Sequence, residues 1–190
     1  MRRLILILGT LVCAQSLAAA QSGAILLVPG TYSTIYAAVE AAADGDTVLV
    51  APGAYPGGGF WFLGKAIHVR SEAGPEATII MNSSVICIDN ERPDSIVEGF
   101  TIDGALGGGV YCEDSSPTIR NNIIKNCSTF IYGFGGGIYT FNAKPGETYS
   151  ARIIGNRIEG NYGSRSGGGI MVRGAPAIIQ DNVIANNSVG

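Results

Sequence analysis

Three stretches of the chain are copies of one another: GGGVYCEDSSPTIRNNIIKNC (Gly107–Cys127), GGGIYTFNAKPGETYSARIIGNRIEGN (Gly135–Asn161) and GGGIMVRGAPAIIQDNVIANN (Gly167–Asn187). Val110, Ile138 and Ile170 correspond, at gaps of 28 and 32 residues. Asn122, Asn156 and Asn182 correspond, as do Ile124, Ile158 and Ile184. A weaker earlier copy, Ile96–Ile102, places Phe100 in the asparagine slot. A unit of this length buries its apolar face only by stacking on its neighbours, so the repeats predict a solenoid.

The unequal spacing fits that reading. Val110 to Ile124 and Ile170 to Ile184 are both 14 residues, whereas Ile138 to Ile158 is 20. The extra residues lie within Phe141–Ser150, which contains Pro145-Gly146. An insertion confined to a corner leaves stacked strands in register. The strand-like pieces are short and rich in Ile and Val, which suits sheets. Leu106 is the sole leucine after Leu63, which excludes a leucine-rich horseshoe. The repeats lack runs of helix formers, which excludes helical solenoids. What remains is an all-β fold, a parallel β-helix. Its corners are marked by Asn and Gly, which reach left-handed backbone conformations at low cost. Asn122, Asn156 and Asn182 should stack as an amide ladder. The triple glycines read as places where backbones pass closely. They are not phosphate loops, since none is followed by Lys-Ser or Lys-Thr.

Upstream the pattern changes. Ser33 to Asp44 reads as a short helix with Ser33 as N-cap, Ile35, Ala38, Val39 and Ala42 on one face, and Gly45 at its end. Thr47–Val50 and Ile67–Val69 read as strands, Pro52-Gly53 as a turn and Phe60–Leu63 as an aromatic cluster. Such a segment could plug the end of a solenoid, otherwise a row of open backbone donors and acceptors. At the N-terminus, Met1-Arg2-Arg3, an apolar run from Leu4 to Leu17 and Ala18-Ala19-Ala20 form the pattern of a cleaved secretory signal. The run is shorter than the roughly 20 residues a membrane span needs. The expected organisation is a signal at residues 1–20, an N-terminal cap at 21–64 and β-helix coils at 65–190. The mature chain should carry no transmembrane segment and should be secreted or held at the cell surface.

Net charge is −3, with no basic stripe, so nucleic acid is not an expected partner. Beyond the signal, Cys87, Cys112 and Cys127 are unevenly spaced and His68 is the one histidine, so no zinc site is expected. The cysteines read as small buried hydrophobes.

YSTIYAAVEAAADGDTVLVAPGAYPGG (Tyr32–Gly58) resembles the N-terminal cap of pectin-lyase-like right-handed β-helix proteins, through Gly45-Asp46-Thr47-Val48 and Pro52-Gly53-Ala54-Tyr55. GKAIHVRSEAGPEATII (Gly64–Ile80) resembles the strand that follows, and the repeats from Ile96 resemble the general parallel β-helix repeat. The resemblance implies a right-handed helix and includes pectate lyases, methylesterases and polygalacturonases. Polygalacturonases carry a histidine in the middle coils, and this chain has none after His68. The motifs of lyases and methylesterases are absent. The chain stops at Ser188-Val189-Gly190 in mid-pattern, which reads as a fragment. Catalytic coils of a polysaccharide-active enzyme would then lie partly beyond residue 190.

Strand alternation offers a candidate binding face. With Val110, Ile138 and Ile170 inward, together with Cys112, Thr140 and Val172, the outward side chains are Tyr111, Glu113, Tyr139, Phe141, Met171 and Arg173. An offset of 24 residues from Ile86 to Val110 would add Cys87 and Asp89. Tyr111, Tyr139, Phe141 and Arg173 suit the apolar faces of sugar rings, so the expected partner is a polysaccharide or cell-surface glycan. Asp89 and Glu113 are the catalytic candidates, as outward carboxylates one strand apart. Asp89, Glu91, Asp94, Glu98, Asp103, Glu113 and Asp114 cluster in sequence against Arg92 alone, and hard oxygen ligands of this kind could hold calcium. Asp94, Asp103 and Asp114 equally read as turn residues, so no metal or other cofactor is assigned. A glycan-contacting β-helix, a polysaccharide-active enzyme and a structural stalk or adhesin are the functions these features allow.

Overall fold

The computed structural model describes residues 23–129, 135–144, 148–174 and 176–190. The expected signal at residues 1–20 and the Pro145-Gly146 turn lie outside the described residues.

The strands form parallel sheets, and the chain coils through about six turns. One sheet has seven strands: Ile25–Val28, Thr47–Val50, His68–Ser71, Ile96–Glu98, Thr118–Arg120, Ala151–Ile154 and Ala177–Gln180. A second has six: Gly53–Pro56, Thr78–Met81, Thr101–Asp103, Ile123–Lys125, Arg157–Glu159 and Val183–Ala185. A third has five: Phe60–Trp61, Val85–Cys87, Val110–Glu113, Ile138–Phe141 and Ile170–Arg173. A short three-stranded sheet lines one corner. The fold is an all-β solenoid with one short helix among the described residues.

The repeat alignment is the register of the coils. Val110 pairs with Ile138 and Ile138 with Ile170. Ile124 pairs with Ile158 and Ile158 with Ile184. Alternate residues of each strand fill the interior, so Val48, Val69, Val97, Ile119 and Ile153 form one buried row. Ile179 and Ile184 occupy the same positions in the last coil and are exposed there. Cys87, Cys112 and Cys127 are buried free thiols.

The asparagine ladder is present. Asn122 N donates to Asn156 Oδ1 (3.0 Å), and Asn156 N donates to Asn182 Oδ1 (2.8 Å). Phe100 fills the earlier slot, its N–H donating to Asn122 Oδ1 at 3.0 Å. The left-handed residue is the one before each slot: Gly99, Asn121, Gly155 and Asp181 all have positive φ. A second ladder, unforeseen from the sequence, runs through the next corner. Cys127 N donates to Asn161 Oδ1 (2.9 Å) and Asn161 N to Asn187 Oδ1 (3.0 Å). The triple glycines lie where coils touch: a methyl on Gly109 would fall 2.8 Å from Gly137 O.

The N-terminal segment needs three corrections. The helix spans Ile35–Ala41, and its N-cap is Thr34, not Ser33; Thr34 Oγ1 accepts from Ala37 N at 3.1 Å. Gly45 stands beyond the helix end, in the turn that Asp46 closes. Asp46 Oδ1 takes Ala24 N (2.7 Å) and Oδ2 takes Ala43 N (2.8 Å), while Lys65 Nζ caps the helix carbonyls of Val39 and Glu40. Gly53 opens a strand instead of completing a turn, because Gly53–Pro56 pairs with Thr78–Met81. Tyr55 folds back to donate to Ala51 O at 2.8 Å, which gives the Pro-Gly-Ala-Tyr segment its shape.

Candidate carbohydrate-contacting face

The outward positions of the five-stranded sheet form one column. Trp61 pairs with Ile86, Ile86 with Tyr111, Tyr111 with Tyr139 and Tyr139 with Met171. Beside it run Glu113, Phe141 and Arg173. The rings of Tyr111 and Tyr139 lie 5.5 Å apart, and Tyr139 stacks on Phe141 at 6.1 Å. The Arg173 guanidinium sits 5.2 Å from the Phe141 ring centre, a cation–π contact. Tyr111 donates to Glu113 Oε2 at 2.6 Å. Burial, and then this carboxylate, push the Tyr111 phenol well above its ordinary value. The sequence thus foresaw Tyr111, Tyr139, Phe141 and Arg173 as neighbours, and they are.

Their exposure differs from the expectation. Tyr139 is 1% exposed and serves as a packed support, with its phenol shifted upward by burial first. Tyr111 and Phe141 keep part of their surface, and Arg173 is exposed.

The expected offset is corrected by one residue. Val85, not Ile86, pairs with Val110, and Cys87 pairs with Cys112. Cys87 therefore points into the core, fully buried, and Ile86 points out beneath Tyr111. A one-residue slip exchanges the two faces of a strand. Asp89 consequently does not stand opposite Glu113. It lies past the strand end, where its backbone N–H donates to Glu91 Oε2 at 3.0 Å. The close pair of carboxylates is not formed.

The other acids are dispersed over different strands and corners. Glu91 is buried and accepts from Gly64 N (3.2 Å), Asp89 N (3.0 Å) and Ser115 Oγ (2.6 Å), tying successive coils together. Asp114 Oδ1 accepts from Ala143 N and Lys144 N. Asp103 takes Asn126 Nδ2 (2.9 Å) and lies near Lys125. Glu98 belongs to another sheet. Among the described residues, no three of His, Cys, Asp and Glu gather as metal ligands.

The open end of the column is Trp61. Phe60 and Phe62 are buried on either side of it and pack edge to face at 5.4 Å, so the strand's alternation turns the indole outward. Trp61 is 45% exposed and Tyr36, on the capping helix, 39%. Together with Asn82, Ser84, Ile86 and Leu106 they line a cleft of about 480 Å³. A neighbouring cleft of about 550 Å³ shares Tyr36 and runs past Tyr55 and Pro56. The sequence signal for this site was the Phe60–Leu63 aromatic cluster, read there as part of a segment that plugs the solenoid end. Two-residue periodicity marks Trp61 as the member facing out.

The chain is thus a solenoid whose outward column from Met171 to Trp61 leads to a cleft at its capped end. Residues 56–189 match the family described as the right handed beta helix region, and the chain belongs to that family. No curated protein and no solved structure shows significant similarity to it.

Proposed function

We propose that the protein is an exported or surface-attached β-helix that contacts a polysaccharide or cell-surface glycan along the outer face of its five-stranded sheet. The observation that carries this reading is the register column from Trp61 to Met171, which opens into the cleft around Trp61 and Tyr36. Sugar rings present axial C–H groups to aromatic faces and hydroxyls to neighbouring amide and hydroxyl groups. Trp61 and Tyr36 supply the first, and Asn82 and Ser84 the second. Met1–Ala20 supports export through its basic start, apolar run and small residues. The resemblance of Tyr32–Gly58 to pectin-lyase-like caps points in the same direction. The reading is one of binding, because the carboxylate pair that would have suggested hydrolysis is not assembled.

Trp61 is the sole tryptophan, so its fluorescence reports this cleft alone. Titration with a panel of neutral and acidic oligosaccharides should quench or shift the emission for at least one class. Calorimetry on Trp61→Ala and Tyr111→Ala should show binding weakened by about tenfold or more. An emission spectrum indifferent to the whole panel, together with no calorimetric heat, would remove this face as a glycan site.

A further inference from the structure

The seven-stranded sheet carries a second cluster on its own outer face. Its outward columns place Leu49, Arg70, Glu98 and Arg120 side by side, and Thr47, His68, Ile96 and Thr118 beside them. Arg120 Nη2 donates to Glu98 Oε2 at 2.7 Å, and Asn121 Nδ2 to Oε1 at 3.0 Å. His68 Nε2 lies 2.8 Å from Glu98 Oε2. Next to them is a cleft of about 350 Å³ lined by His68, Arg70, Ser71, Pro75, Glu98 and Asn121.

Charge is unevenly distributed there. Glu98 is satisfied by Arg120, Asn121 and His68, whereas Arg70 lines the cleft with no ion pair among the described residues. Two arginines stand against one carboxylate. A carboxylate accepts, so its contact with Nε2 requires the proton on that nitrogen, and Nδ1 is left as the ring's second site. When Nδ1 is also protonated, imidazolium and guanidinium border the same cleft. We infer that this cleft is an oxyanion-binding site in which Arg70 and protonated His68 hold a carboxylate, sulfate or phosphate group, with Glu98 and Asn121 fixing the geometry. The site is separate from the aromatic face and does not depend on it.

Binding and protonation are coupled. Burial depresses the imidazole below its ordinary value, outweighing the attraction of Glu98, and Arg120 and Arg70 add to the depression. A bound oxyanion offsets that repulsion and raises the proton affinity of His68. By linkage, affinity increases as pH falls through the histidine range. The charged groups surrounding the imidazole are Arg70 on its strand, Glu98 and Arg120 on the next two, and Arg152 further along its column. Glu72 and Glu76 flank the Ala73–Pro75 lip in sequence, and Asp46, which precedes the strand of Thr47, is held by Ala24 N and Ala43 N.

His68 is the one histidine, so its imidazole resonances are unique in an NMR spectrum of the full chain. They should be followed at pH 5.5 and pH 8 during titration with sodium acetate, sulfate and phosphate, with sodium chloride at matched ionic strength. Saturable shifts at pH 5.5, with half-saturation in the range of about 1–10 mM for at least one oxyanion, are expected. The acetate arm against the sulfate and phosphate arms separates carboxylate from tetrahedral recognition. Arg70→Gln should weaken the effect at least about tenfold with an unchanged melting temperature. Arg165→Gln, on a distant exposed arginine, should leave it intact. Shifts no larger than those of chloride, or an Arg70→Gln variant that binds like the parent, would overturn the assignment. Neither result bears on Trp61 fluorescence, so the two proposals fail independently.

Discussion

Asn156 is 1% exposed and serves three coils at once. Its Oδ1 accepts from Asn122 N (3.0 Å) and Asn122 Nδ2 (3.2 Å), while its Nδ2 donates to Ile119 O (2.9 Å) and Asn182 Oδ1 (3.0 Å). Cutting the side chain back leaves the Asn122 N–H and the Ile119 carbonyl buried without these partners. Each such group costs about 1–3 kcal/mol, so Asn156→Ala should lose about 3 kcal/mol in a denaturant titration. Asp would keep the acceptor and discard the donor while adding a buried charge, so Asn156→Asp should do no better. A midpoint unchanged from the parent would mean that the ladder does not bear on stability.

At the scale of the element, a ladder lengthens as long as each coil offers an asparagine. The second ladder stops at Cys127. Asn161 Nδ2 reaches Ile124 O at 2.9 Å, and Asn187 Nδ2 reaches Ile158 O at 2.9 Å. Cys127 Sγ stands in the same relation to Ile102 O, at 3.7 Å, where a thiol is a weak donor. Ala105 lies next in the slot and is itself buried. Cys127→Asn should extend the ladder by a rung and stabilise the chain by about 1 kcal/mol, read as a higher melting temperature. A lower melting temperature would show that the thiol's packing outweighs the extra rung. The sequence revealed the first ladder because its three members fall in aligned copies. The second was hidden behind a cysteine in the first copy, although Asn161 and Asn187 themselves align.

Across the whole molecule, acid should weaken the fold. His68 has its proton affinity lowered in the folded chain, chiefly by burial. The unfolded chain therefore takes up this proton first as pH falls, below about 6.5, and the folded state loses ground in that window. Burial alone would raise Glu98, yet the hydrogen bonds from Arg120 and Asn121, with the Arg120 charge, bring it below the ordinary carboxylate value. Its contribution is present above that ordinary value and disappears as pH drops through the folded one. Both act in the same direction. Denaturant midpoints should decline from pH 7 toward pH 4, and His68→Gln should flatten the upper part of that decline, between pH 7 and pH 5. A parent profile already flat over that upper range would show that the imidazole is not linked to folding.

The repeat, the β class, the Val110–Ile138–Ile170 register and the first ladder were determined by the sequence, because each is a local pattern copied from coil to coil and needs no knowledge of distance. So was the outward identity of Tyr111, Tyr139, Phe141 and Arg173, which follows from strand alternation once one register is fixed. The phase of the Val85–Cys87 strand was not. Val85, Ile86, Cys87 and Ile88 are all apolar, so either alternate set could fill the core, and pairing with Val110 made the choice. That choice separated Asp89 from Glu113 and put Ile86 between Trp61 and Tyr111. The helix start, read from the sequence with Ser33 as cap, was set one residue later, at Thr34. Tertiary structure alone decided that Tyr139 is covered while Trp61 is not. It also brought His68, Arg70, Glu98 and Arg120, spread over more than fifty residues of chain, onto one face. Burial and cross-coil proximity depend on what stacks above and beside a side chain, and in a solenoid that neighbour lies a whole turn away in sequence.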